Sequence, residues 1–440
     1  MNTASKIFCG TFCVAFFLRD KKFFGVIILN RRFFLKILLG LGLGAYFPKL
    51  AEAERFENLH TPQDNFRPLY EVKFLRQIIT KNSRTSRVLM WQSDSEIKNI
   101  QLEFFLVGEE TANFSDVGYN YFDEKFIYFS ALENLKPESL YKFRIISGDK
   151  ATSWQNLKTS GKNKFQMLVF SDSQCENYKV WQKVADAANK NFPDAEIFLV
   201  NGDIVDNGQA NYQWRQWFNA AAYLLSEKIF VPVMGNHECY DLNWLNCLPE
   251  GYLNNFILPK NHEKNFEGYF YSFDYGAAHF FILNTQFAEL EKFLPKLQDA
   301  QNYFFRRDAA NTNKNWKIVF MHKDIFDYAQ NKFNEIAEIF MPLFDELEID
   351  LVLTGHLHTY RNRGKIFAQK KSPHGTTYIL CGRAGDQKYI EPNSEIDEVT
   401  APNIKTEPES FITLDIDEKI LTLTCQTIDG EIFDKFTMKK

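Results

Sequence analysis

Five short apolar segments between residues 165 and 358 each end in side chains that can bind a metal ion. The segments span residues 165–170, 197–200, 229–234, 316–321 and 349–354, and the residues that follow them are SDSQ, NGD, GNHE, H and GHLH. A helical pattern at 179–191 separates the first two, and such alternation predicts βαβ units and a mainly parallel sheet. Open α/β sheets bind ligands at the carboxyl ends of their strands. The sequence therefore predicts an α/β fold with a polar site at these strand ends.

Asp203 is the central residue of this pattern. A single Gly-Asp pair is most simply a turn, but the recurrence of polar strand ends favours a metal site. Four of the eight histidines also lie at strand ends: His237, His322, His356 and His358. His356 and His358 are two positions apart, so an extended chain puts both on one face.

Two neighbouring cations need a bridging anion, and the two oxygens of Asp203 can bridge them. A single zinc ion requires only four ligands, fewer than the six or seven candidates here. We therefore favour a site for two divalent or mixed-valence metal ions.

Composition and charge narrow the class of protein. The 440 residues allow two or three domains, and 45% apolar with 24% charged residues is a globular composition. Residues 1–53 carry 8 basic and 2 acidic residues, which leaves 43 basic and 54 acidic residues, a balance of −11, in residues 54–440. This excess of acidic residues in 54–440 argues against nonspecific nucleic-acid binding.

The basic N-terminal segment resembles a twin-arginine export signal. Arg31 and Arg32 precede an apolar run at 37–47, and the small-x-small triplet at 51–53 is typical of a cleavage site. The apolar run is shorter than the roughly 20 residues of a spanning helix. We predict an export signal at 1–53, cleaved near Ala53, a linker at 54–66 and a mature protein with no stable membrane span. The protein would use the twin-arginine export machinery and function in the periplasm, at the cell surface or as a secreted protein.

Residues 67–160 have the pattern of a small β-sandwich, with short segments rich in β-branched and aromatic residues. The stretch 135–141, which ends in Tyr141, resembles the tyrosine corner of fibronectin type III domains. Among the cysteines, Cys239 and Cys247 are close enough in sequence for a local disulfide, and the bridged and free forms are both open.

The motifs Asp172-x-Gln174, Gly202-Asp203, Gly235-Asn236-His237-Glu238, His322 and Gly355-His356-x-His358 resemble, in this order, the calcineurin-like metallophosphoesterase superfamily. The preceding sandwich and the tail at 420–440 make the chain most similar to its purple acid phosphatase branch. The resemblance implies a four-layer α/β/β/α sandwich at 164–440, preceded by a fibronectin type III-like all-β domain at 67–160.

The resemblance also implies a role for each strand-end residue. Asp172, Gln174 and His358 would bind the first metal ion, and Asn236, His322 and His356 the second. Asp203 would bridge them, and a metal-activated hydroxide would attack phosphorus in line. His237 would be the proton donor or would orient the phosphate.

Two residues depart from the family pattern. Gln174 stands where the superfamily commonly has His, so the first metal would be held more weakly or through water. Asp206 stands where the purple branch has the Tyr whose phenolate colours the iron. We therefore expect no purple colour, and iron, manganese and zinc all stay open as the metal. Asp206 is either a further ligand or a turn residue.

The residues around these motifs indicate where a substrate would bind. Tyr360 and Arg361 follow the His-x-His turn and are candidates to line the substrate pocket. Tyr240 and Trp244 follow His237, where substrate-selecting loops would project. His279 lies within an apolar segment and is most simply packed in the core.

The predicted function is an exported phosphohydrolase, similar to acid phosphatases, that acts on small phosphate monoesters. Two alternatives remain. One is a phosphodiesterase or nucleotidase on the same core, and the other is a noncatalytic extracellular binding protein with a degenerate metal domain. The retained set of predicted ligands, together with His237, argues against the second.

Overall fold

A computed structural model of the chain describes residues 66–109, 111–161, 164–400 and 407–440, and the backbone of three strands near the N-terminus. It contains two compact units, Met1–Asn65 and Phe66–Lys440. In the first unit, strands β1 (Ala4–Phe8), β2 (Thr11–Phe17) and β3 (Phe23–Asn30) form an antiparallel sheet. The arginine pair, the apolar run and the cleavage site of the predicted export signal lie outside the described residues, as does the linker up to residue 65.

Ten strands between residues 67 and 158 form a β-sandwich. They are β4 (Arg67–Pro68), β5 (Lys73–Ile78), β6 (Arg87–Ser93), β7 (Ile100–Leu106), β8 (Asn113–Ser115), β9 (Gly118–Phe122), β10 (Lys125–Leu132), β11 (Leu140–Ser147), β12 (Lys150–Ala151) and β13 (Gln155–Lys158). Strands β5, β6, β10 and β9 form one face and β4, β12, β11, β7 and β8 the other, with β13 paired to β11.

The sandwich has a core of its own. Trp91 and Tyr128 stack in it with ring centroids 5.9 Å apart, and Phe143 is fully buried beside them. The hydroxyl of Tyr141 accepts a hydrogen bond from the backbone N–H of Lys136 at 2.7 Å, as the resemblance to a tyrosine corner implies. This region is all-β, as its strand pattern predicted.

Sixteen further strands follow among the described residues from 164 onward. They are β14 (Phe165–Phe170), β15 (Ile197–Asn201), β16 (Ile229–Val233), β17 (Tyr271–Tyr275), β18 (Ala278–Leu283), β19 (Trp316–Met321), β20 (Phe326–Asp327), β21 (Lys332–Phe333), β22 (Leu351–Thr354), β23 (Tyr360–Phe367), β24 (Lys370–Lys371), β25 (Thr376–Cys381), β26 (Val399–Thr400), β27 (Ser410–Ile416), β28 (Ile420–Thr427) and β29 (Ile432–Lys439). The first three are parallel neighbours, and their residues are almost all buried, as expected of strands covered on both faces.

One sheet continues from the metal-site strands into the sandwich. Its order is β29-β28-β27-β14-β15-β16-β5-β6-β10-β9, and the junction is a parallel pairing of β16 with β5. Residues Phe66–Lys440 consequently form one compact unit. The division of this unit into domains at 67–160 and 164–440 stays a prediction.

The second large sheet has the order β17-β18-β19-β22-β25-β23-β24, with β26 paired to β23. Strands β20 and β21 form a separate hairpin. The two large sheets pack face to face, and Phe165 of the first contacts Tyr275 and Phe280 of the second, with ring centroids 4.8 and 6.2 Å apart.

Helices cover the outer faces of the two sheets. They are α1 (Lys179–Asn191), α2 (Asn211–Ala220), α3 (Ala222–Glu227), α4 (Glu250–Asn255), α5 (Phe287–Leu290), α6 (Leu297–Asn311) and α7 (Glu335–Glu346). Trp181 of α1 packs edge-on against Phe170 of the first sheet, and Phe305 of α6 packs against Phe281 of the second. The predicted α/β/β/α layering is confirmed. Within the described residues, no helix has the length and apolarity that a membrane span requires.

Cys239 and Cys247 are free thiols in the structure, which is one of the two forms that the sequence left open. The sulfur of Cys239 is buried 3.9 Å from that of Met234, whereas the sulfur of Cys247 accepts a hydrogen bond from Gln209. The backbone N–H of Cys247 donates to the carbonyl of Cys239 at 2.9 Å.

Candidate metal centre

Asn201 joins the strand ends of the two sheets. It is the last residue of β15, and its side-chain amide donates to the carbonyl oxygens of Met321 at 3.3 Å and of Leu353 at 3.2 Å. These carbonyls lie at the ends of β19 and β22, which run parallel to each other. The polar residues that follow all five predicted strands are therefore neighbours.

Two groups of carboxylates and imidazoles meet at this place. Asp203, His322 and His356 form one group, and in each group the ligand atoms lie within 4.8 Å of one another. Asp172, Asp203 and His358 form the other. Asp203 is common to both, so the two groups share one carboxylate.

The amide side chains complete this cluster. The Oδ1 atom of Asn236 lies 3.1 Å from Nε2 of His322, and the same nitrogen lies 3.0 Å from Oδ2 of Asp203. The Nε2 atom of Gln174 lies 3.4 Å from Oδ2 of Asp203 and 3.3 Å from Nε2 of His358. All seven predicted ligands thus lie in one cluster.

The donor set fits metal ions. The Oε1 atom of Gln174 is buried and has no hydrogen-bond partner among the described residues. A buried polar atom without a partner is costly, and a cation beside Gln174 would satisfy it. Carboxylate oxygens and imidazole nitrogens suit iron, manganese and zinc.

The histidines are oriented by backbone carbonyls. Nδ1 of His322 lies 2.9 Å from the carbonyl of Asn201, and Nδ1 of His358 lies 3.0 Å from that of Gln387. Because a carbonyl can only accept, each Nδ1 carries the proton, and each Nε2 presents its lone pair to the cluster in the neutral ring.

The backbone at the cluster is strained. Asp172, Asp203, His356 and His358 have φ angles of 49°, 48°, 77° and 53°. Residues other than glycine rarely adopt this left-handed region, and they stay there only where the surroundings over-determine it. Gly202 also has a positive φ, and a Cβ on it would lie 2.3 Å from Nδ1 of His322. Only glycine allows β15 to end this close to that ring.

Charge and burial set the protonation of the cluster. Burial alone would raise the pKa of Asp203, but the positive charges of His322 and His237 outweigh it and hold the pKa well below its usual range. Burial alone would lower the pKa of His322, whereas Asp203 raises it to about 9. Burial and the charge on His322 lower the pKa of His356 to about 4. A metal ion would therefore meet a neutral His356 but would displace a proton at His322.

His237 lies at the rim of the cluster. Its Nδ1 donates to the backbone carbonyl of Asp206 at 2.6 Å, and its Nε2 lies 3.8 Å from Oδ2 of Asp203. The carboxylate of Asp206 accepts a hydrogen bond from Gln387 at 2.7 Å and lies 3.7 Å from His237. Asp206 belongs to neither metal-binding group; its contacts orient His237.

Glu238 supports the site in a way that sequence reasoning missed. It is fully buried, and its carboxylate accepts four backbone N–H groups, those of Asp203, Ile204, Val205 and Gly235, at 2.7 to 3.2 Å. It therefore ties the ends of β15 and β16 together. Only its place in the GNHE segment pointed to it, because no sequence pattern reveals a target among backbone N–H groups.

Comparisons with known proteins relate this region to a family. The profile of the family "Calcineurin-like phosphoesterase" matches residues 165–360. Residues 165–360 form a calcineurin-like phosphoesterase domain. All seven candidate ligands and His237 lie within it. The phosphoesterase domain is of the metal-dependent class.

Purple acid phosphatases are among the proteins to which this chain is similar. "Purple acid phosphatase 15" of Arabidopsis thaliana is 23% identical over 234 residues, which are 49% of this chain and 42% of that protein. "Probable purple acid phosphatase 20" of the same plant is 23% identical over 305 residues, 66% of this chain and 69% of that protein. The solved structure of purple acid phosphatase PPD1 from yellow lupin seeds has a TM-score of 0.71 at 18% identity and covers 98% of this chain and 79% of that one. At this identity the structural similarity establishes the fold.

The structure corrects the expected role of Tyr360 and Arg361. Both side chains are fully buried. The hydroxyl of Tyr360 donates to Asp434 at 2.5 Å, and the guanidinium of Arg361 donates to Thr359 and to the carbonyl of Glu391 at 2.6 and 2.7 Å. Their polar groups therefore bond to Asp434, Thr359 and the backbone of Glu391, within the protein interior.

His279 is packed away from the cluster, as expected. Its ring nitrogens lie 2.7 Å from Asp274 and 2.9 Å from Asp308. Burial alone would lower the pKa of His279, but these two carboxylates raise it.

Proposed function

We propose that this chain is a dinuclear metal-dependent phosphohydrolase that cleaves phosphate monoesters outside the cytoplasm. The supporting observation is the pair of carboxylate–imidazole groups that share Asp203 in a calcineurin-like phosphoesterase domain. One carboxylate within reach of two ligand groups is the arrangement that two neighbouring cations require.

In this proposal Asp172, Gln174 and His358 would hold the first metal ion. Asn236, His322 and His356 would hold the second, and Asp203, which belongs to both ligand groups, would serve both ions. When bound, the metal ions supply the Lewis acidity that activates the attacking water and neutralises charge on the phosphoryl oxygens. The unpartnered Oε1 of Gln174 supports its place in this set.

His237 is the proposed proton donor to the leaving oxygen. The carbonyl of Asp206 fixes its ring through Nδ1, so Nε2 is the nitrogen that faces the cluster. Burial lowers the pKa of His237, but the charge of Asp203 and the carbonyl of Asp206 outweigh burial and raise it. The protonated ring therefore carries an Nε2–H that can protonate a departing alkoxide.

The test compares metal-loaded protein on phenyl phosphate and on bis(p-nitrophenyl) phosphate. Asp203→Asn should lose bound metal and hydrolysis together, because an amide has a single oxygen and cannot bridge. His237→Ala should keep its metal and lose about 10²–10⁴-fold in kcat, the range for a general acid. Asp186→Asn, an exposed change on α1, is the matched control.

Each other outcome indicates a different function. Faster cleavage of the diester would indicate a phosphodiesterase. If the metal-loaded protein hydrolyses neither ester, the proposed enzymatic activity is refuted and the noncatalytic binding protein is the remaining alternative. Full activity in Asp203→Asn would overturn the assigned centre.

The proposal that the protein is exported is based on its N-terminal sequence. We propose that residues 1–53 direct the folded, metal-loaded protein to the twin-arginine machinery. A periplasmic reporter fused behind residue 60 should reach the periplasm, and replacing Arg31 and Arg32 by Lys should retain it in the cytoplasm. Arg19→Lys is the matched control, and export of the double variant would contradict the pathway.

A further inference from the structure

Apolar side chains are exposed beside the metal cluster. Leu242, Trp244 and Leu245 are 65%, 53% and 63% exposed, and they lie in the loop that follows His237. Single exposed apolar residues are ordinary, but a group of them beside a polar site is typical of a binding surface.

This loop is held in place by hydrogen bonds. Oδ1 of Asp241 accepts from the N–H groups of Asn243 at 2.7 Å and Leu245 at 2.9 Å. Asn207 donates to the carbonyl of Asp241 at 2.7 Å and anchors the loop to the segment after Asp203. The loop is therefore ordered before any ligand arrives.

Trp244 has a backbone conformation that is unfavourable for its type. Its φ angle is 63°, in the left-handed region that a bulky residue rarely adopts. The bonds of Asp241 hold it there, and such strain is concentrated at functional sites. The result is a large aromatic side chain on a fixed backbone, half exposed to solvent.

Two aromatic rings contact histidines of the metal cluster. The ring of Trp244 lies edge-on to His237 with centroids 5.8 Å apart. Tyr389 lies over the ring of His358 at 4.4 Å and 30°, and it is 46% exposed. His237 is near Asp203 and His358 is near Asp172, so each ring is one side chain away from a carboxylate of the cluster.

We propose that Trp244 binds a planar aromatic group on the leaving side of the phosphate ester. The inference rests on the proposed function and names its substrate class. In the reaction, the ester and one water become an alcohol and inorganic phosphate. The bond from phosphorus to the leaving oxygen breaks, the electron pair stays on that oxygen, and His237 supplies its proton. The leaving group must therefore lie at His237, where the exposed ring is that of Trp244.

A groove beside His356 offers a competing location for the leaving group. It has a volume of about 610 Å³, and Phe326, Tyr328 and Phe333 line it. His237 is absent from its lining. A leaving group in that groove would not be next to His237, the proposed proton donor, so the Trp244 side is favoured.

The test measures selectivity with matched pairs of substrates. Phenyl phosphate is compared with methyl phosphate, and adenosine 5′-phosphate with ribose 5-phosphate, as ratios of kcat/KM. Trp244→Ala should lower the aromatic-to-aliphatic ratio about five- to tenfold in at least one pair, because a ring-on-ring contact is worth about that much. The pair that responds tells whether the aromatic group is an aryl ring on the ester oxygen or a nucleobase.

Four further variants make the result specific. Trp244→Tyr should restore most of the ratio, and Trp244→Leu should not, since leucine keeps the apolar surface without the ring. Tyr223→Ala removes an exposed tyrosine on α3 and should leave the ratio unchanged. Phe333→Ala tests the competing groove. If the ratio falls in Phe333→Ala and is unchanged in Trp244→Ala, the inference is overturned.

A binding measurement separates this inference from the proposed function. Calorimetry on the metal-loaded protein compares phenylphosphonate with methylphosphonate, neither of which is a phosphate ester. Tighter binding of phenylphosphonate that disappears in Trp244→Ala supports the aromatic site even if no ester is hydrolysed, which would refute the proposed function alone. Hydrolysis with equal binding of the two phosphonates would refute the aromatic site alone.

Discussion

Gly235 is the position where one added methyl group tests the metal centre most directly. A Cβ at Gly235 would lie 2.1 Å from Oδ1 of Asp203 and 2.2 Å from its backbone nitrogen. The φ angle of Gly235 is not in the left-handed region, so alanine is conformationally acceptable there. Gly235→Ala is therefore a purely steric change directed at the proposed bridging carboxylate.

The size of the effect follows from these distances. Real Cβ contacts are essentially never below 3.0 Å, so the gap to Asp203 must open by about 0.9 Å. Rotation of a side chain cannot provide this, because one of the two atoms is backbone. The N–H groups of Gly235 and Asp203 also both donate to Oε2 of Glu238, which holds the two segments together. A displacement of about 1 Å at a reacting centre costs about 10²-fold in rate, and overpacking costs about 1–3 kcal/mol of stability.

The assay measures bound metal by mass spectrometry and hydrolysis of phenyl phosphate on the same sample. Gly235→Ala should bind less metal and lose at least about 10²-fold in kcat. Gly161→Ala is the matched control, since its new Cβ would meet only the flexible end of Glu138 at 3.0 Å. Full metal content and undiminished activity in Gly235→Ala would refute the argument that metal binding and catalysis require the observed position of Asp203.

Three further predictions follow from other parts of the structure. His279→Phe removes a histidine whose pKa is raised, so its stabilisation is complete below the unfolded pKa of about 6.5 and is lost as the pH rises through the higher folded pKa. The variant should lose about 2–4 kcal/mol of unfolding free energy in urea, and this loss should shrink as the pH rises from about 5.5 to 9. A loss that grew with pH would contradict the pairing with Asp274 and Asp308. Tyr141→Phe should lower the free energy of unfolding by about 1 kcal/mol, because one hydrogen bond to the backbone of Lys136 is removed; an unchanged urea midpoint would show that this bond contributes nothing. Iron-loaded protein should lack a visible charge-transfer band, because Asp206 stands where the purple branch has its tyrosine, and a purple sample would require another phenolate at the metal.

Sequence reasoning succeeded where local pattern and strand geometry decide the outcome. The apolar segments before Asp172, Asp203 and His322 are strands in the structure. The carboxyl ends of parallel strands meet at one edge of a sheet, so the polar residues after β14, β15 and β16 are neighbours. The residues after β19 and β22 belong to the second sheet and join them only because the two sheets pack together. The prediction that His279 is packed in the interior is also confirmed, because its neighbours in strand β18 are apolar and buried.

Sequence reasoning failed where the partner of a side chain is distant in the chain. Tyr360 and Arg361 follow the His-x-His turn, and only the fold shows that Asp434 and the segment at Glu391 occupy their polar groups. The pairing of β16 with β5, which joins the sandwich to the metal-site sheet, also connects segments about 150 residues apart. Neither contact leaves a local pattern.

The amino-acid sequence by itself determined which residues have metal-binding chemistry and that they stand at strand ends, because strand periodicity and ligand type are local properties. The tertiary structure alone decided that Asp203 is shared between two ligand groups and that Glu238 holds its backbone. It also decided that Trp244 is exposed beside His237. These features depend on distances of a few ångströms between segments far apart in the chain, and such distances are set only when both sheets and their loops have packed.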